Sequence, residues 1–152
     1  MAGRIDSADL GLEPNSGERD LFRWFLASFL FGKRIQQKVA RRTFEVFRDR
    51  GVDNPKAILQ TGWRGLVKLL GEGHYVRYDE STARYLLETS QLLIDRYGGR
   101  ITAVFERSKD KQDLQRRLDE FKGVGPKTVE IFLRDVDERR LIGGKAKKMP
   151  AA

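Results

Sequence analysis

The chain of 152 residues contains no cysteine and a single histidine. Without cysteine it has no disulfide, no cysteine-ligated iron–sulfur cluster and no cysteine-ligated zinc site. His74 alone leaves little for a histidine-based metal centre. We therefore expect no metal and no other cofactor.

The sequence also lacks an apolar run long enough to cross a bilayer, and its N-terminus lacks the pattern of a secretory signal. These absences predict a soluble cytoplasmic protein with no membrane partner. At this length the apolar residues suffice for a single hydrophobic core, so we expect one folded domain.

Charge is distributed unevenly along the chain. Residues 1–20 contain two basic residues against five acidic ones, a net charge of −3. Because the whole chain carries +8, the remaining residues carry +11. A body this basic favours a polyanionic partner, although basic soluble proteins without such a partner are common.

Apolar residues recur at helical spacing in every segment and none alternates convincingly, so the sequence predicts an all-α fold, a compact helical bundle or barrel. The first helix has a broad apolar face and is expected to be the central, most buried one. Its start is expected at Asn15 or Ser16, with Glu18 at capping-box spacing from Asn15.

Composition divides the chain into three parts. Residues 1–14 lack periodicity and are predicted to be a flexible N-terminal segment. Residues 15–140 are predicted to form the helical domain. Residues 141–152, rich in lysine and glycine, are predicted to be a flexible basic tail.

Basic side chains follow one side of the predicted second helix, which is expected to run from about Lys33 to about Arg50. Arg34, Lys38 and Arg41 are spaced so that they lie near one another. They would track the phosphates of a nucleic acid, or form the solvated face that amphipathic helices usually present. The sequence leaves both interpretations open.

Residues 121–136 predict a helix, a tight glycine hairpin and a second helix. Gly123 and Gly125 are expected to take positive φ angles and to expose backbone amides. Pro126 suits the first turn of the second helix. These amides and the positive helix end would bind an anion, and with Lys122 and Lys127 beside them we interpret that anion as a backbone phosphate. The alternative is an ordinary turn between two helices.

The hairpin carries a family resemblance. The residues that carry it are Phe121, Gly123, Val124, Gly125, Thr128 and Val129, which resemble the helix-hairpin-helix DNA-binding motif. Lys127 stands where the endonuclease III-like DNA glycosylases of the helix-hairpin-helix superfamily carry their Schiff-base lysine. The resemblance extends upstream to about Ser16 and implies a helical DNA-binding barrel with Lys127 as the candidate catalytic residue.

The resemblance also assigns a position to the glycine-containing loop at residues 71–78. In the family this region helps to fill the gap left by an everted nucleotide, which makes Tyr75, Val76 and Arg77 candidates. Tyr75 and Tyr78 have the alternative of packing back onto the core. The candidate DNA-binding residues are Lys122, Gly123, Val124, Gly125, Lys127, Thr128, Arg34, Lys38, Arg41 and Arg77.

The chain departs from the family at the acid that completes the active site. The family uses an aspartate in the loop after the second hairpin helix, whereas residues 138–145 contain none. Asp135 and Asp137 come earlier, on what is predicted to be the same helix as Lys127, and would lie roughly 12–15 Å along its axis from it. The family's C-terminal helices are missing too, which indicates a shortened relative or a barrel completed by another chain.

The sequence therefore predicts a DNA-repair-related protein that binds duplex DNA, damaged or abasic, through backbone phosphates, with weak or absent catalysis. One alternative is an active glycosylase or abasic-site lyase that uses Lys127 as its nucleophile. The other is a helical adaptor whose basic faces bind acidic protein partners.

Overall fold

The helix around which the others pack is the first long one, as the sequence predicts. In the computed structural model, which describes residues 4–144, this helix, α1 (Glu18–Phe31), buries nine of its side chains. The fully enclosed indole of Trp24 donates a hydrogen bond from Nε1 to the carbonyl oxygen of Phe132 at 3.0 Å. The ring of Phe25 lies 5.1 Å from that of Phe132 and 6.0 Å from that of Phe121. These aromatic contacts join the start and the end of the chain.

The remaining α-helices of the described residues are α2 (Gln37–Asp49), α3 (Pro55–Glu72), α4 (Asp79–Tyr97), α5 (Ile101–Glu106), α6 (Lys111–Leu118), α7 (Pro126–Arg134) and α8 (Glu138–Leu141). Short 3-10 turns occupy Ser7–Leu10, Pro14–Ser16 and Ile142–Gly144. Residues 4–144 contain no strand, so the predicted all-α class is confirmed.

The helices surround α1 on several sides. On one side α2 packs against both α1 and α3, and α3 lies along α4. On the other side α5 and α7 pack against α1, while α6 and α8 pack against α5. The hairpin that joins α6 to α7 therefore lies next to the C-terminal end of α1 and the middle of α4.

The third helix, α3, contains a kink at Gly62, whose φ of 75° lies in the left-handed region that glycine adopts without strain. The start of α3 is capped, because the Asn54 side chain accepts a hydrogen bond from the Ala57 amide at 2.9 Å.

The described part of the N-terminal segment packs against the helices. Leu10 and Leu12 are buried at 6% and 4% exposure, and the Ser7 amide donates to the Asp135 carboxylate at 2.9 Å. The apolar residues show no periodicity because they lie on a single 3-10 turn and the chain after it. Residues 4–14 therefore pack against the helical domain.

The expected cap of α1 is also corrected. Gly17 occupies the N-cap position, and the Glu18 carboxylate turns away to accept the amides of Ile101 and Thr102, both at 2.9 Å. It thereby satisfies the free amides at the start of α5. Burial raises the pKa of Glu18, and the two backbone hydrogen bonds oppose that rise. Asn15 instead accepts a hydrogen bond from the Asp137 amide at 2.7 Å.

At the other end, regular structure continues past the predicted boundary at residue 140. Lys111 pairs with Glu138 of α8 at 3.2 Å, and Ile142 is buried at 7% exposure. The remainder of the predicted basic tail, residues 145–152, lies outside the described residues. None of the helices within residues 4–144 combines the length and the hydropathy that crossing a bilayer would require.

Candidate nucleic-acid interface

The turn between α6 and α7 has the conformation of a tight hairpin, but only one of its two glycines needs positive φ. Gly123 has φ of 82°, whereas Gly125 has φ of −97° and serves as the N-cap of α7. The expectation that both take positive φ is therefore wrong for Gly125. Pro126 is at the first turn of α7, as predicted.

Of the two hairpin glycines, Gly123 is also the one with no room for a side chain. A Cβ atom there would lie 2.6 Å from Cζ of Phe29 and 2.9 Å from Cβ of Tyr85. A Cβ on Gly125 would meet no atom within 4 Å. Gly123 thus packs the hairpin against α1 and α4, and Gly125 leaves the outer surface of the hairpin open.

Side chains from the turn after α1 and from α4 hold the hairpin by its carbonyl groups. Lys33 Nζ donates to the Gly123 oxygen at 2.8 Å, and Thr89 Oγ1 donates to the Lys122 oxygen at 3.0 Å. The Lys33 ammonium also lies over the rings of Phe29 and Tyr85, at 5.3 Å and 5.9 Å from their centroids. Burial lowers the pKa of Lys33.

Lys33 is a residue that sequence reasoning missed. The sequence predicts the second helix from about Lys33, whereas α2 begins at Gln37 and Lys33 lies in the turn after Gly32. Only the packing of α1 against the hairpin brings its ammonium to a carbonyl 90 residues away.

Two backbone amides of the hairpin have no partner in the described part of the chain. The amides of Gly123 and Gly125 donate to no acceptor within residues 4–144. Lys122 and Lys127 are exposed on either side of them, and neither pairs with a carboxylate in the described part of the chain. Two free amides, a helix N-terminus and two lysines form a site suited to an anion.

Two of the predicted DNA-binding residues in the hairpin have buried side chains, which leaves only their backbone atoms to contact a ligand. Val124 is buried at 7% exposure and Thr128 at 1%. The Thr128 side chain packs directly against Gly32, where a Cβ atom would overlap it. Thr128 therefore fixes α7 against the end of α1 and does not face solvent.

The predicted basic stripe is only partly assembled on α2. Lys38 is exposed on the helix, whereas Arg34 is exposed in the turn that precedes it. Arg41 is engaged within the protein: it lies 3.6 Å from the Glu45 carboxylate and donates to the Asp9 carbonyl at 3.0 Å. The described N-terminal segment thus occupies one of the predicted phosphate contacts.

The two tyrosines of the loop before α4 have different environments. Tyr75 is fully buried, and its hydroxyl forms a hydrogen bond of 3.3 Å with Thr82 Oγ1. Tyr78 remains 41% exposed, with φ of 67°, and the Arg77 guanidinium lies 5.0 Å from its ring centroid. Val76 is 66% exposed. The alternative prediction, that these tyrosines pack onto the core, is therefore confirmed for Tyr75 and wrong for Tyr78.

Lys127 borders a pocket of about 170 Å³ between α1, α7 and the N-terminal segment. The pocket is lined by Arg4, Ile5, Phe31, Gln37, Lys127, Ile131 and Arg134, and no carboxylate is among them. Asp135 follows the last residue of α7 and accepts the Ser7 amide, so the expectation that it continues the helix of Lys127 is wrong. The nearby Asp6 carboxylate does not line the pocket but pairs with two of its arginines, at 3.2 Å from Arg4 and 3.5 Å from Arg134.

The described residues contain no group of three or more His, Asp or Glu side chains arranged to hold a metal ion. No family model matches the sequence, and a search of curated proteins finds no match either.

Proposed function

We propose that this protein binds duplex DNA through backbone phosphates, without sequence preference, in a process related to DNA repair. The observation that carries the proposal is the hairpin itself. Its amides at Gly123 and Gly125 are free, exposed Lys122 and Lys127 flank them, and contacts from Lys33 and Thr89 hold its carbonyls. A rigid pair of donors beside two cations matches a phosphodiester oxygen.

The charge of the molecule supports the same partner. Residues outside the first twenty carry +11, and Lys38, Arg34 and Arg77 are exposed on the surface. Arg41 is left out of the proposed interface because its guanidinium is already bound to Glu45 and to the Asp9 carbonyl. We propose weak or absent base excision, since no carboxylate lines the pocket beside Lys127 and the nearby Asp6 is paired with Arg4 and Arg134.

The proposal is tested by the salt dependence of binding to a mixed-sequence duplex. Each phosphate contact contributes about −0.9 to the slope of log affinity against log salt. The double variant Lys122→Gln/Lys127→Gln should reduce the magnitude of that slope by about 1.8. The matched variant Lys56→Gln/Lys68→Gln, which removes two exposed lysines of α3, should leave the slope nearly unchanged.

Binding that is absent or indifferent to salt would contradict the proposal and would favour an adaptor for acidic proteins. The catalytic alternative is tested separately, by borohydride trapping with abasic-site DNA. A Schiff base between a lysine amine and the abasic sugar gives a covalent adduct, whereas phosphate contact gives none. We expect a faint adduct or none. A strong adduct that disappears in a folded Lys127→Ala variant would establish the lyase.

A further inference from the structure

Four arginines line one depression of the surface, at the C-terminal ends of α4, α5 and α6. They surround a surface depression of about 410 Å³ lined by Arg96, Tyr97, Arg107, Arg116, Arg117 and Glu120. None of the four belongs to the hairpin surface described above. The phosphate-contact hypothesis from the sequence did not include them, because they come from three separate segments of the chain.

A buried tyrosine organises two of these guanidinium groups. Tyr97 is 3% exposed, and its ring lies 6.1 Å from that of Phe121. Arg117 Nη1 donates to its hydroxyl at 3.2 Å, and the Arg107 guanidinium lies 5.3 Å from its ring centroid. Arg107 also donates to the Arg96 carbonyl. The cluster is therefore held by the core and is not a set of independent surface side chains.

The carboxylates beside the cluster do not neutralise it. Arg96 pairs with Glu120 at 2.5 Å. Asp113 binds Arg116 at 2.5 Å and Arg117 at 3.4 Å, and hydrogen bonds from the Lys109 amide and Arg116 lower its pKa to about 2. Two carboxylates face four guanidinium groups, which leaves a surplus of two positive charges.

Arg107 contributes most clearly to this surplus. It pairs with no carboxylate within residues 4–144, and its side chain is exposed. A guanidinium has five N–H donors in a planar fork that matches the oxygens of a phosphoryl group. The remaining donors of Arg107 thus have no acceptor in the described part of the chain, and Arg107 lines the depression.

We propose that this arginine cluster is a second phosphoryl-binding site. Glu120, which borders it, is only three residues from Gly123, so the two sites lie within roughly 10 Å along the chain. Resting on the proposed function, we assign to it backbone phosphates of the same duplex that the hairpin holds. The alternative source of the same chemistry is a free phosphorylated small molecule.

The site is tested first with pyrophosphate, which needs no DNA. Pyrophosphate should bind saturably at low salt, and the Arg96→Gln/Arg107→Gln variant should weaken its affinity about tenfold. The control Arg19→Gln/Arg50→Gln removes two charges from other exposed arginines and should change affinity less than about twofold. Binding that is absent, or that both variants weaken equally, overturns the proposal. If the double variant unfolds, Arg107→Gln alone is measured, since this exposed side chain has no carboxylate partner to leave unpaired.

Duplex binding then identifies the source of the phosphate. If the cluster contacts the DNA backbone, Arg96→Gln/Arg107→Gln reduces the magnitude of the salt slope by about 1 to 2 relative to the control. An unchanged slope with cluster-dependent pyrophosphate binding overturns the backbone assignment and leaves a free phosphorylated ligand. If the parent protein binds no DNA, the proposed function fails, and the pyrophosphate measurement still decides the site.

Discussion

At Gly123 the space for a side chain is already filled by Phe29 and Tyr85, whereas at Gly125 it is open. This difference separates the packing of the hairpin from its binding surface. We expect Gly123→Ala to lower the free energy of unfolding by about 2–4 kcal/mol, because a Cβ atom would add both overlap and left-handed backbone strain. Denaturant titration measures the effect.

Gly125→Ala provides the matched control on the same turn. It should change stability by less than about 1 kcal/mol, because its φ is allowed for alanine and its Cβ meets nothing. It should still weaken duplex binding, since the added methyl group lies in front of the free amides. Equal destabilisation by the two substitutions would show that the packing around Gly123 is not the constraint described here.

The buried phenol of Tyr75 makes the free energy of unfolding depend on pH in the alkaline range. Burial raises its pKa to about 12 from an ordinary value of 10.0. The phenol therefore stays neutral in the folded state while the unfolded chain ionises, and stability present below pH 10 is lost as pH rises toward 12. If the whole difference in pKa between the two states takes effect, the free energy of unfolding falls by about 2–3 kcal/mol.

The matched variant is Tyr75→Phe, which cannot ionise at this position. Unfolding free energies measured from pH 9 to pH 12 should fall less steeply in the variant than in the parent. The variant also loses the hydrogen bond to Thr82, so its stability at pH 7 should be lower by about 1 kcal/mol. Parallel pH profiles would contradict a neutral, buried phenol.

At the scale of elements, the N-terminal segment belongs to the folded domain. Its amides and carbonyls bind Gln37, Asp135 and Arg134, and it places two leucines in the core. We expect Leu12→Ala to cost about 2–3 kcal/mol of unfolding free energy, at the lower end for a buried leucine. The exposed Ile94→Ala should cost less than about 0.5 kcal/mol. An unchanged free energy of unfolding in the Leu12→Ala variant would mean that the segment contributes no buried contact to the fold.

The hairpin element shows the same dependence on its neighbours. α6 and α7 are amphipathic and predictable from spacing, but the turn between them is held by Lys33 from beyond α1 and by Thr89 from α4. Neither residue has a sequence signal that points to the hairpin, because both act on its backbone carbonyls rather than on its side chains.

At the scale of the whole molecule, the proposed contacts are phosphate contacts spread over exposed lysines and arginines. Phosphates position a protein on DNA but carry no sequence information. We therefore expect duplexes of equal length and unrelated sequence to bind with affinities within about threefold of one another at a fixed salt concentration. Competition anisotropy measures this. A preference of a hundredfold or more would require contacts to base edges that the proposed interface does not include.

Apolar spacing and residue types along the chain predict the all-α class, the central position of α1 and a Gly-Pro hairpin between two amphipathic helices. These properties follow from apolar spacing and from residue types that act within a few positions of one another. Periodicity could not detect the leucines of the N-terminal segment, because a single 3-10 turn is too short to show a repeat.

Tertiary structure alone decided which glycine is constrained, which cations remain free and which are bound. Arg41 is engaged with Glu45 and Asp9, and Lys33 with the Gly123 carbonyl, although the sequence marks them no differently from exposed Lys38. The arginines around Tyr97 come from α4, α6 and the end of α5, so only the packing of those helices brings their charges together. A charge in the sequence has a position along the chain, whereas its partner is set by contacts between distant segments.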